Sequence, residues 1–577
     1  MPSYAFPPAP PSIDPTPLEE LDRLVARLAE RKAAWAQLSI DARLDLLDRM
    51  KAPLLDVAED WVDAGARAKG FETGSHGAGE EWFAGPAVTM RNLRLLEVAL
   101  RDVRTHGRPV LTPDKLTERP DGRLVAQVFP LDLFDKVLFS GFTAETWMQP
   151  GVTRANLPEH QASAYRDLDT AGRLALVLGA GNVSSIAPTD VLYKLFVENE
   201  VVILKMNPVN EYIGPFLEQV FAPLIERGFL AVVYGGVEVG KHLTDHPQVE
   251  TIHITGSDAT HDAILWGPPE GRAERKAKGE KRIDKEITSE LGNVTPVIVV
   301  PGPWTDAELQ FQAENVATMV EHNASFDCNA AKLLVLPAGW DLRERFLDKL
   351  KAQLRDTRAR KAYYPGARER WQRFVDAHPE AEILTEEAEG IVPWTFIGGL
   401  DPEHPEEICF RQEPFCGVIH EVSLPGRTAV DFLPAAVAFC NDKVWGTLAC
   451  HLLIHPTTRK DPACEAAFQE ALDDLRYGGI GVNHWAGLIF GLISTTWGAF
   501  PGHTLEDIQS GRGVVHNTFM FDKPEKSVLY GPFTMFPKPP WFVTFSRPHK
   551  LAPRLVRLEA NPGLLKLPGI ALQAILG

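Results

Sequence analysis

Apolar residues recur three and four positions apart over residues 18–70, beginning with Leu21, Leu24 and Leu28. Residues at this spacing share one face of a helix, so the pattern predicts amphipathic helices at the start of the fold. The preceding 17 residues are rich in proline. Because proline favours extended backbone, we expect residues 1–17 to form an extended arm.

Short apolar runs of the β type then alternate with helical segments over residues 173–257, and a second succession starts near residue 296. Such alternation predicts βαβ units, whose strands form parallel sheets. The pattern therefore predicts an α/β chain with two parallel-sheet units. The predicted strands are residues 174–178, 201–204, 231–234 and 251–254 in the first unit, and residues 296–300 and 332–336 in the second.

Two segments interrupt these successions. Residues 115–167 are strand-like but irregular, with apolar residues scattered among glycine and proline, and we expect them to form an arm or flap outside the main sheet. Residues 268–286 are rich in charged side chains, which predicts a solvated insertion loop.

Composition limits the classes of partner. A chain of 577 residues with 45% hydrophobic content can build two or three compact domains. Its net charge of -18 argues against nucleic acids and anionic membranes, which attract clustered Lys and Arg, so we expect a small-molecule substrate. The N-terminus lacks a basic and apolar leader, and no run of 18 apolar residues occurs. We expect a soluble cytoplasmic protein without an integral membrane segment.

The six cysteines are sparse and form no C-x-x-C pair, so neither a disulfide framework nor a metal site is predicted. Cys328 is the exception, because it lies in the polar run Asn323-Ala-Ser-Phe-Asp-Cys-Asn-Ala-Ala-Lys332, between Glu290 upstream and Glu413 downstream. A thiol nucleophile needs a polar partner to handle protons or water. Cys328 is therefore the candidate nucleophile, and the two glutamates are its candidate partners.

A glycine-rich turn, Leu178-Gly-Ala-Gly-Asn-Val-Ser184, follows the first predicted strand. Such a turn can hold a dinucleotide phosphate at the start of the next helix. The usual dinucleotide fingerprint expects an acidic residue at the end of the next strand, but Lys205 stands there. The usual ribose contacts are therefore not indicated by the turn alone.

Several motifs in one order carry a resemblance to a known family. Asn182 and Lys205 are 23 residues apart, and residues 234–257 read Tyr-Gly-Gly-Val-Glu-Val-Gly-Lys-His-Leu-Thr-Asp-His-Pro-Gln-Val-Glu-Thr-Ile-His-Ile-Thr-Gly-Ser. Glu290-Leu-Gly, Cys328 with alanine two places on, and Glu413-Pro-Phe-Cys-Gly-Val follow. In this order the chain resembles the aldehyde dehydrogenase family over about residues 20–520.

The resemblance implies a fold of two Rossmann-like parallel-sheet domains with a small β-rich oligomerisation arm, assembled as a homodimer or tetramer. The implied domains are a Pro-rich arm at residues 1–17, a dinucleotide-binding domain at 18–114 and 171–289, a catalytic thiol domain at 290–505, and arm segments at 115–170 and 506–577.

The resemblance also implies an activity, the NAD- or NADP-dependent oxidation of an aldehyde. Cys328 would add to the aldehyde carbon and later carry a thioester, while the Asn182 amide and the Cys328 backbone N–H would stabilise the oxyanion. Glu290 would activate water to release the acid. The implied cofactor-binding residues are Lys205, Gly236, Gly240, Gly256, Ser257, Glu413 and Phe415.

The chain departs from the family pattern at several positions. Ser325-Phe326 replaces Gly-Gln before the thiol, Asn293 replaces a glycine, and His261 stands where a glycine is common. Pro208 stands three residues after Lys205, where an acidic residue often favours NAD. Without that carboxylate a 2′-phosphate is not repelled, so use of NADP is expected.

The substrate and two other functions stay open. The apolar run Trp485–Ile493, with Phe326, indicates an apolar, bulky or long-chain aldehyde, although an ordinary core would read the same. An acylating dehydrogenase or acyl reductase would pass the thioester to or from CoA, and a non-catalytic scaffold would keep only the fold. The presence of Glu290 favours hydrolysis over CoA transfer.

Overall fold

The computed structural model describes residues 6–166, 170–358 and 360–577. Part of the predicted Pro-rich arm, residues 1–5, and residues 167–169 of the predicted arm segment lie outside the described residues. Within the described part, the chain forms one sheet of six strands, one of eleven and a short two-stranded ribbon, covered by helices.

The strands are β1 (Leu116–Glu118), β2 (Leu124–Phe129), β3 (Thr143–Met148), β4 (Leu174–Leu178), β5 (Val201–Lys205), β6 (Leu230–Val233), β7 (Thr251–Gly256), β8 (Glu286–Leu291), β9 (Thr295–Val299), β10 (Ala331–Pro337), β11 (Glu382–Ile383), β12 (Thr395–Leu400), β13 (Val418–Leu424), β14 (Ala449–Leu453), β15 (Gly479–Val482), β16 (Thr496–Trp497), β17 (Gly511–Arg512), β18 (Val515–His516) and β19 (Pro524–Tyr530).

The α-helices are α1 (Leu18–Ala36), α2 (Ile40–Ala68), α3 (Ala78–Trp82), α4 (Val88–His106), α5 (Leu133–Leu138), α6 (Ser163–Arg166), α7 (Ile186–Phe196), α8 (Gly214–Val220), α9 (Ala222–Glu226), α10 (Val237–Asp245), α11 (Asp258–Trp266), α12 (Arg272–Lys278), α13 (Asp306–Glu321), α14 (Arg343–Asp356), α15 (Ala367–Ala377), α16 (Ile408–Arg411), α17 (Ala429–Asp442), α18 (Pro462–Asp474), α19 (Gly487–Leu492), α20 (Pro548–Ala560) and α21 (Leu567–Leu576). A π-helix spans Phe83–Ala87, and 3-10 helices span Pro113–Lys115, Leu157–His160, Glu211–Ile213, His322–Ser325, Thr458–Lys460 and Leu564–Lys566.

The first sheet has the strand order β17-β8-β7-β4-β5-β6, and all neighbours except β17 and β8 are parallel. The central strands β4 and β5 are almost wholly apolar and buried, as expected for a parallel sheet covered on both faces. This confirms the four strands predicted there. The predicted helices before them are α1 and α2, and α1 packs on the sheet through Leu21, Val25 and Leu28.

The second sheet has the order β1-β2-β3-β19-β15-β14-β9-β10-β13-β12-β11. Strands β19, β15, β14, β9, β10, β13 and β12 are parallel, and they include both strands predicted for the second unit. Residues 115–167 were expected to lie outside the main sheet, and this prediction is wrong. The strands β1, β2 and β3 of this segment extend the second sheet, because β3 pairs antiparallel with β19, a partner nearly 400 residues away that the local pattern does not reveal.

Two further segments differ in part from expectation. The charged segment is solvated as predicted, but it contains a helix, α12, that buries no side chain. An ion pair between Glu274 and Lys278, one turn apart, supports the helix. Residues 6–17 carry no helix or strand, as predicted for an arm, and the Thr16 N–H donates to the Tyr234 carbonyl at 3.1 Å.

The C-terminal helices fold back onto the N-terminal ones. Helix α20 packs against α3, α4 and the π-helix. Arg91 joins α20 to the rest of the chain, because its Nη1 lies 2.9 Å from both Asp135 Oδ1 and Glu559 Oε1, and all three side chains are buried. In the part of the chain described, no helix is long and apolar enough to cross a membrane.

Candidate active site

Most of the predicted site residues of the first sheet stand at one edge. Lys205 ends β5, Gly256 lies at the end of β7 and Glu290 near the end of β8, while Asn182 follows β4 and Gly236 follows β6. The carboxyl ends of parallel strands share one edge of a sheet, which is where ligands bind in α/β folds. The second sheet meets this edge with the loops that enter β10 and β13.

Cys328 lies on the loop between the 3-10 helix His322–Ser325 and β10. Asn323, Ala324 and Ser325 all have φ between +52° and +68°, a left-handed conformation that is uncommon outside glycine and indicates a backbone held by its surroundings. The buried Lys332 ammonium supplies part of that hold, since it donates to the Ser325 carbonyl at 3.0 Å and to its hydroxyl at 2.6 Å.

The Cys328 thiol and the Glu290 carboxyl are in direct contact. Cys328 Sγ donates to Glu290 Oε1 at 3.2 Å, across the boundary between the two sheets. Burial raises the pKa of Glu290 to about 7, and burial together with the Glu290 charge raises the pKa of Cys328 well above its usual value. The Trp497 indole N–H beside Glu290 opposes this rise in pKa, although Glu290 Oε2 makes no hydrogen bond of ordinary geometry among the described residues. The pair therefore holds a carboxyl that can accept a proton near neutral pH.

Asn182 is placed beside the thiol loop. Its Nδ2 donates to the Phe326 carbonyl at 2.8 Å, two residues before the thiol. The backbone carbonyl of Asn182 accepts hydrogen bonds from Lys69 Nζ at 2.9 Å, from Asn323 Nδ2 at 3.1 Å and from the Tyr363 hydroxyl at 3.1 Å. Because Nδ2 carries two protons, one remains for a further acceptor.

Glu413 and Phe415 lie on the loop before β13. A Cβ atom on Gly292 would stand 2.0 Å from Glu413 Oε2, so the carboxyl rests against backbone two residues beyond Glu290. Burial raises the pKa of Glu413 to about 8, and its Oε1 is buried without a hydrogen-bond partner in the described residues. Phe415 packs against Phe326 at 5.8 Å between ring centroids.

The other predicted cofactor residues line the edge of the first sheet and make no contact with the thiol that the structure shows. Burial lowers the pKa of Lys205 to about 8, although the nearby Glu211 charge opposes that shift. Gly236 and Gly240 have open space where a Cβ atom would be. Ser257 caps the N-terminus of α11, and its hydroxyl accepts the Thr260 N–H at 3.2 Å.

Cys328 and Glu290 line a cavity of about 240 Å³. Its other walls are mostly apolar, and they come from the π-helix and α4, from the predicted substrate run through Trp485 and Phe490, and from the C-terminal segment through Met535, Trp541 and Leu555. Residues of the run at 485–493 line this cavity, and the apolar aldehyde that the run indicates stays a prediction. The prediction for Phe326 is wrong, because this ring is buried among Tyr363, Tyr364 and Phe415 and does not face the cavity.

Some site residues were missed from the sequence. His322 and Asp327 both line the cavity, with His322 Nδ1 2.8 Å from Asp327 Oδ2. Although burial opposes it, the nearby Glu80 and Asp327 raise the pKa of His322. The position of Asp327 next to Cys328 in the sequence could have indicated that it belongs to the site. The sequence gives no comparable indication for the C-terminal wall, because no local pattern connects residues 535–574 with Cys328.

The sequence predicts no metal site, and that stays a prediction. Among the described residues, His378, Glu407 and Cys409 bring ligand-type atoms within 4.8 Å of one another. Glu407 Oε1 already accepts the backbone N–H of Cys409 at 2.9 Å and lies 3.2 Å from His378 Nε2. The sequence missed this grouping because α15 and α16 bring His378 to residues some thirty positions away.

Comparison with protein families gives a match to the aldehyde dehydrogenase family over residues 185–367. This range contains Cys328, Glu290 and Lys205, begins after Asn182 and ends before Glu413. An aminoacetaldehyde dehydrogenase of Pseudomonas aeruginosa is 28% identical over 237 residues, which are 38% of this chain and 42% of that relative. The chain thus matches less than half the length of this curated relative.

Solved structures resemble the whole fold. The NAD-dependent aldehyde dehydrogenase of Sinorhizobium meliloti has a TM-score of 0.60 at 18% identity, over 92% of both chains. The NADP-dependent glyceraldehyde-3-phosphate dehydrogenase of Bacillus halodurans, complexed with NADP, has a TM-score of 0.59 at 16% identity, over 90% of this chain and 92% of that one. At these identities the likeness shows the fold alone.

Proposed function

The chain belongs to the aldehyde dehydrogenase superfamily, and we propose that it oxidises an aldehyde to the carboxylic acid with NAD or NADP, through a thioester on Cys328. One observation carries the proposal: Cys328 Sγ lies 3.2 Å from Glu290 Oε1 in the wall of an apolar cavity. A partly buried thiol beside a carboxyl of pKa about 7 is an arrangement suited to a thioester mechanism.

Glu290 is placed to accept a proton after the hydride has left. The Cys328 thiol first loses its proton to solvent, and the sulfur adds to the aldehyde carbon. When water attacks the resulting thioester, the Glu290 carboxylate accepts a proton from that water and can return it to the departing Cys328 sulfur across their 3.2 Å contact. A base whose pKa lies near the operating pH is the most efficient one.

Asn182 supports the proposed oxyanion role through the N–H that the Phe326 carbonyl leaves free. The developing negative charge on the aldehyde oxygen needs donors already in place, and removing one such donor typically costs roughly 3–4 kcal/mol of barrier. The second donor of the proposal is the Cys328 backbone N–H.

The edge of the first sheet fits a nicotinamide dinucleotide. Lys205 ends β5 at this edge, Gly236 and Gly240 leave open space, and the Glu413 Oε1 atom lacks a hydrogen-bond partner among the described residues. We assign Lys205 to the adenosine ribose, Glu413 to the nicotinamide ribose, and Gly256 and Ser257 to the pyrophosphate at the start of α11. When bound, the cofactor supplies the hydride acceptor.

A panel of aldehydes with NAD and NADP, followed at the NAD(P)H absorbance, tests the proposal. The apolar cavity favours bulky or long-chain apolar aldehydes, so we expect higher kcat/KM for these than for small polar ones. If no aldehyde of the panel produced NADH or NADPH, the result would contradict the proposed activity.

Replacing Pro208 by glutamate is expected to lower kcat/KM for NADP more than for NAD, by roughly tenfold in the ratio, because it places a carboxylate near the 2′-phosphate. Pro208 is exposed just beyond Lys205, so the new side chain has room. Pro208→Gln is the matched control, with the same length and no charge. An unchanged ratio in Pro208→Glu would place the ribose elsewhere.

Deacylation is expected to depend on pH through Glu290. Its raised pKa of about 7 means that the carboxyl is mostly protonated at pH 6 and mostly ionised at pH 8. As the base form is the active one, a turnover limited by deacylation should rise roughly tenfold over that interval. The measurement is kcat against pH, and a profile unchanged in Glu290→Gln would contradict the assignment.

Assembly and compartment are further proposals. We propose a homodimer or tetramer, and light scattering of the purified protein tests the size. A reducing compartment, such as the cytoplasm, suits a protein whose six cysteines are all free.

A further inference from the structure

The last forty residues carry a charge opposite to that of the chain. Residues 538–577 contain six Lys and Arg and one acidic residue, Glu559, whereas the whole chain has a net charge of -18. Glu559 is buried and paired with Arg91 and Arg94. The charge that this segment shows to solvent is therefore positive, with Lys550, Arg554 and Arg557 exposed along α20.

Helix α21 and the 3-10 helix before it expose large apolar side chains. Leu565 is 98% exposed, Leu564 60%, and Leu572 and Ile575 more than half. Leu572 and Leu576 are four residues apart on α21, as are Ala571 and Ile575, so they form one exposed apolar stripe. Arg554 lies beside this stripe, since its guanidinium is 3.4 Å from a Cβ placed on Gly569.

The opposite face of α21 reaches the catalytic cavity. Ile570 and Ala574 line the cavity that holds Cys328, and so does Leu555 of α20. Phe536 is 83% exposed between Met535 and Pro537, which are also cavity residues. The same short segment therefore separates the cavity from an exposed apolar and basic surface.

We propose that the helix pair α20–α21 docks on an anionic lipid surface, and that apolar aldehydes reach Cys328 from that surface. An exposed apolar stripe flanked by exposed Lys and Arg matches an interfacial helix, whose apolar face enters the lipid while its cations meet acidic headgroups. A symmetric contact with a second copy is disfavoured, because it would bring the same cations together. The net charge of the chain, which argued against such a partner, conceals this local reversal.

Docking is tested by sedimentation of the full chain with vesicles of phosphatidylcholine alone and of phosphatidylcholine with phosphatidylserine. We expect roughly tenfold or greater preference for the anionic vesicles, lost at high salt. The double variant Leu565→Asp with Ile575→Asp should lose this binding by a similar factor. Val430→Asp, an exposed apolar residue on α17, is the matched control and should bind as the wild type does.

The substrate route rests on the proposed function, and its test separates the two. The double variant should lower kcat/KM for a long-chain aldehyde supplied in anionic vesicles, while a short water-soluble aldehyde is oxidised as before. Vesicle binding by Cys328→Ala should equal that of the wild type, so docking stands even if the chain oxidises no aldehyde. A wild type that binds neither vesicle, or a double variant that changes only the oligomer size, would overturn the proposal.

Discussion

Replacing Cys328 by alanine is expected to abolish aldehyde oxidation and to leave binding of the nicotinamide cofactor nearly unchanged. The Cys328 sulfur is the only atom of the proposed site that bonds to the substrate, and the residues assigned to the cofactor lie on other segments of the chain. Losing the nucleophile of such a site lowers kcat by roughly four orders of magnitude or more. NAD(P)H absorbance measures the loss, and calorimetric titration with the cofactor measures the binding.

Cys464→Ala is the matched control for this variant. Cys464 is the other cysteine that is not fully buried, and it lies at the start of α18, on a helix that does not line the cavity. We expect full activity from it. Substantial dehydrogenase activity in Cys328→Ala would remove Cys328 as the nucleophile.

Replacing Glu290 by glutamine is expected to stop turnover after the first hydride transfer. The amide keeps the shape of the side chain but cannot accept the proton of the attacking water. Steady-state turnover should fall by a factor on the order of 10²–10⁴, while a single rapid burst of NAD(P)H approaches one per active site. Stopped-flow absorbance resolves the burst from the slow phase.

Glu286→Gln on the same strand is the control, because Glu286 is exposed and pairs with Arg173 away from the thiol. Two outcomes would revise the role of Glu290. Absence of the burst would show that its 3.2 Å contact with Cys328 serves thiol deprotonation. Full turnover that requires CoA in the wild type, with little effect of Glu290→Gln, would select acyl transfer.

The sequence predicted the two parallel sheets well, since β4, β5, β6 and β10 are short, mostly apolar runs whose burial is decided locally. It placed β1 to β3 outside the main sheet because their pairing depends on β19, far along the chain. Charge density in the segment of α12 correctly predicts solvent exposure, but it does not reveal the helix, which an exposed Glu274–Lys278 ion pair supports.

For the candidate site, motif order was enough to choose Cys328 and Glu290, which the structure brings into contact. Motif order could not show that the Phe326 ring packs against Tyr363, Tyr364 and Phe415, because residues far apart along the chain form that cluster. It also could not find Leu555 or Ile570 in the cavity wall. Those contacts come from the packing of α20 on α4 and the π-helix, which has no local signal.

Intact mass spectrometry of Glu290→Gln, mixed with an aldehyde and the oxidised cofactor, tests the covalent role of Cys328 most directly. The protein should gain the mass of one acyl group, and peptide mapping should place that group on Cys328. Without cofactor no adduct should survive denaturation, because the initial addition to the aldehyde is reversible. A burst of NAD(P)H with an unmodified protein, or with the acyl group on another residue, would contradict the account.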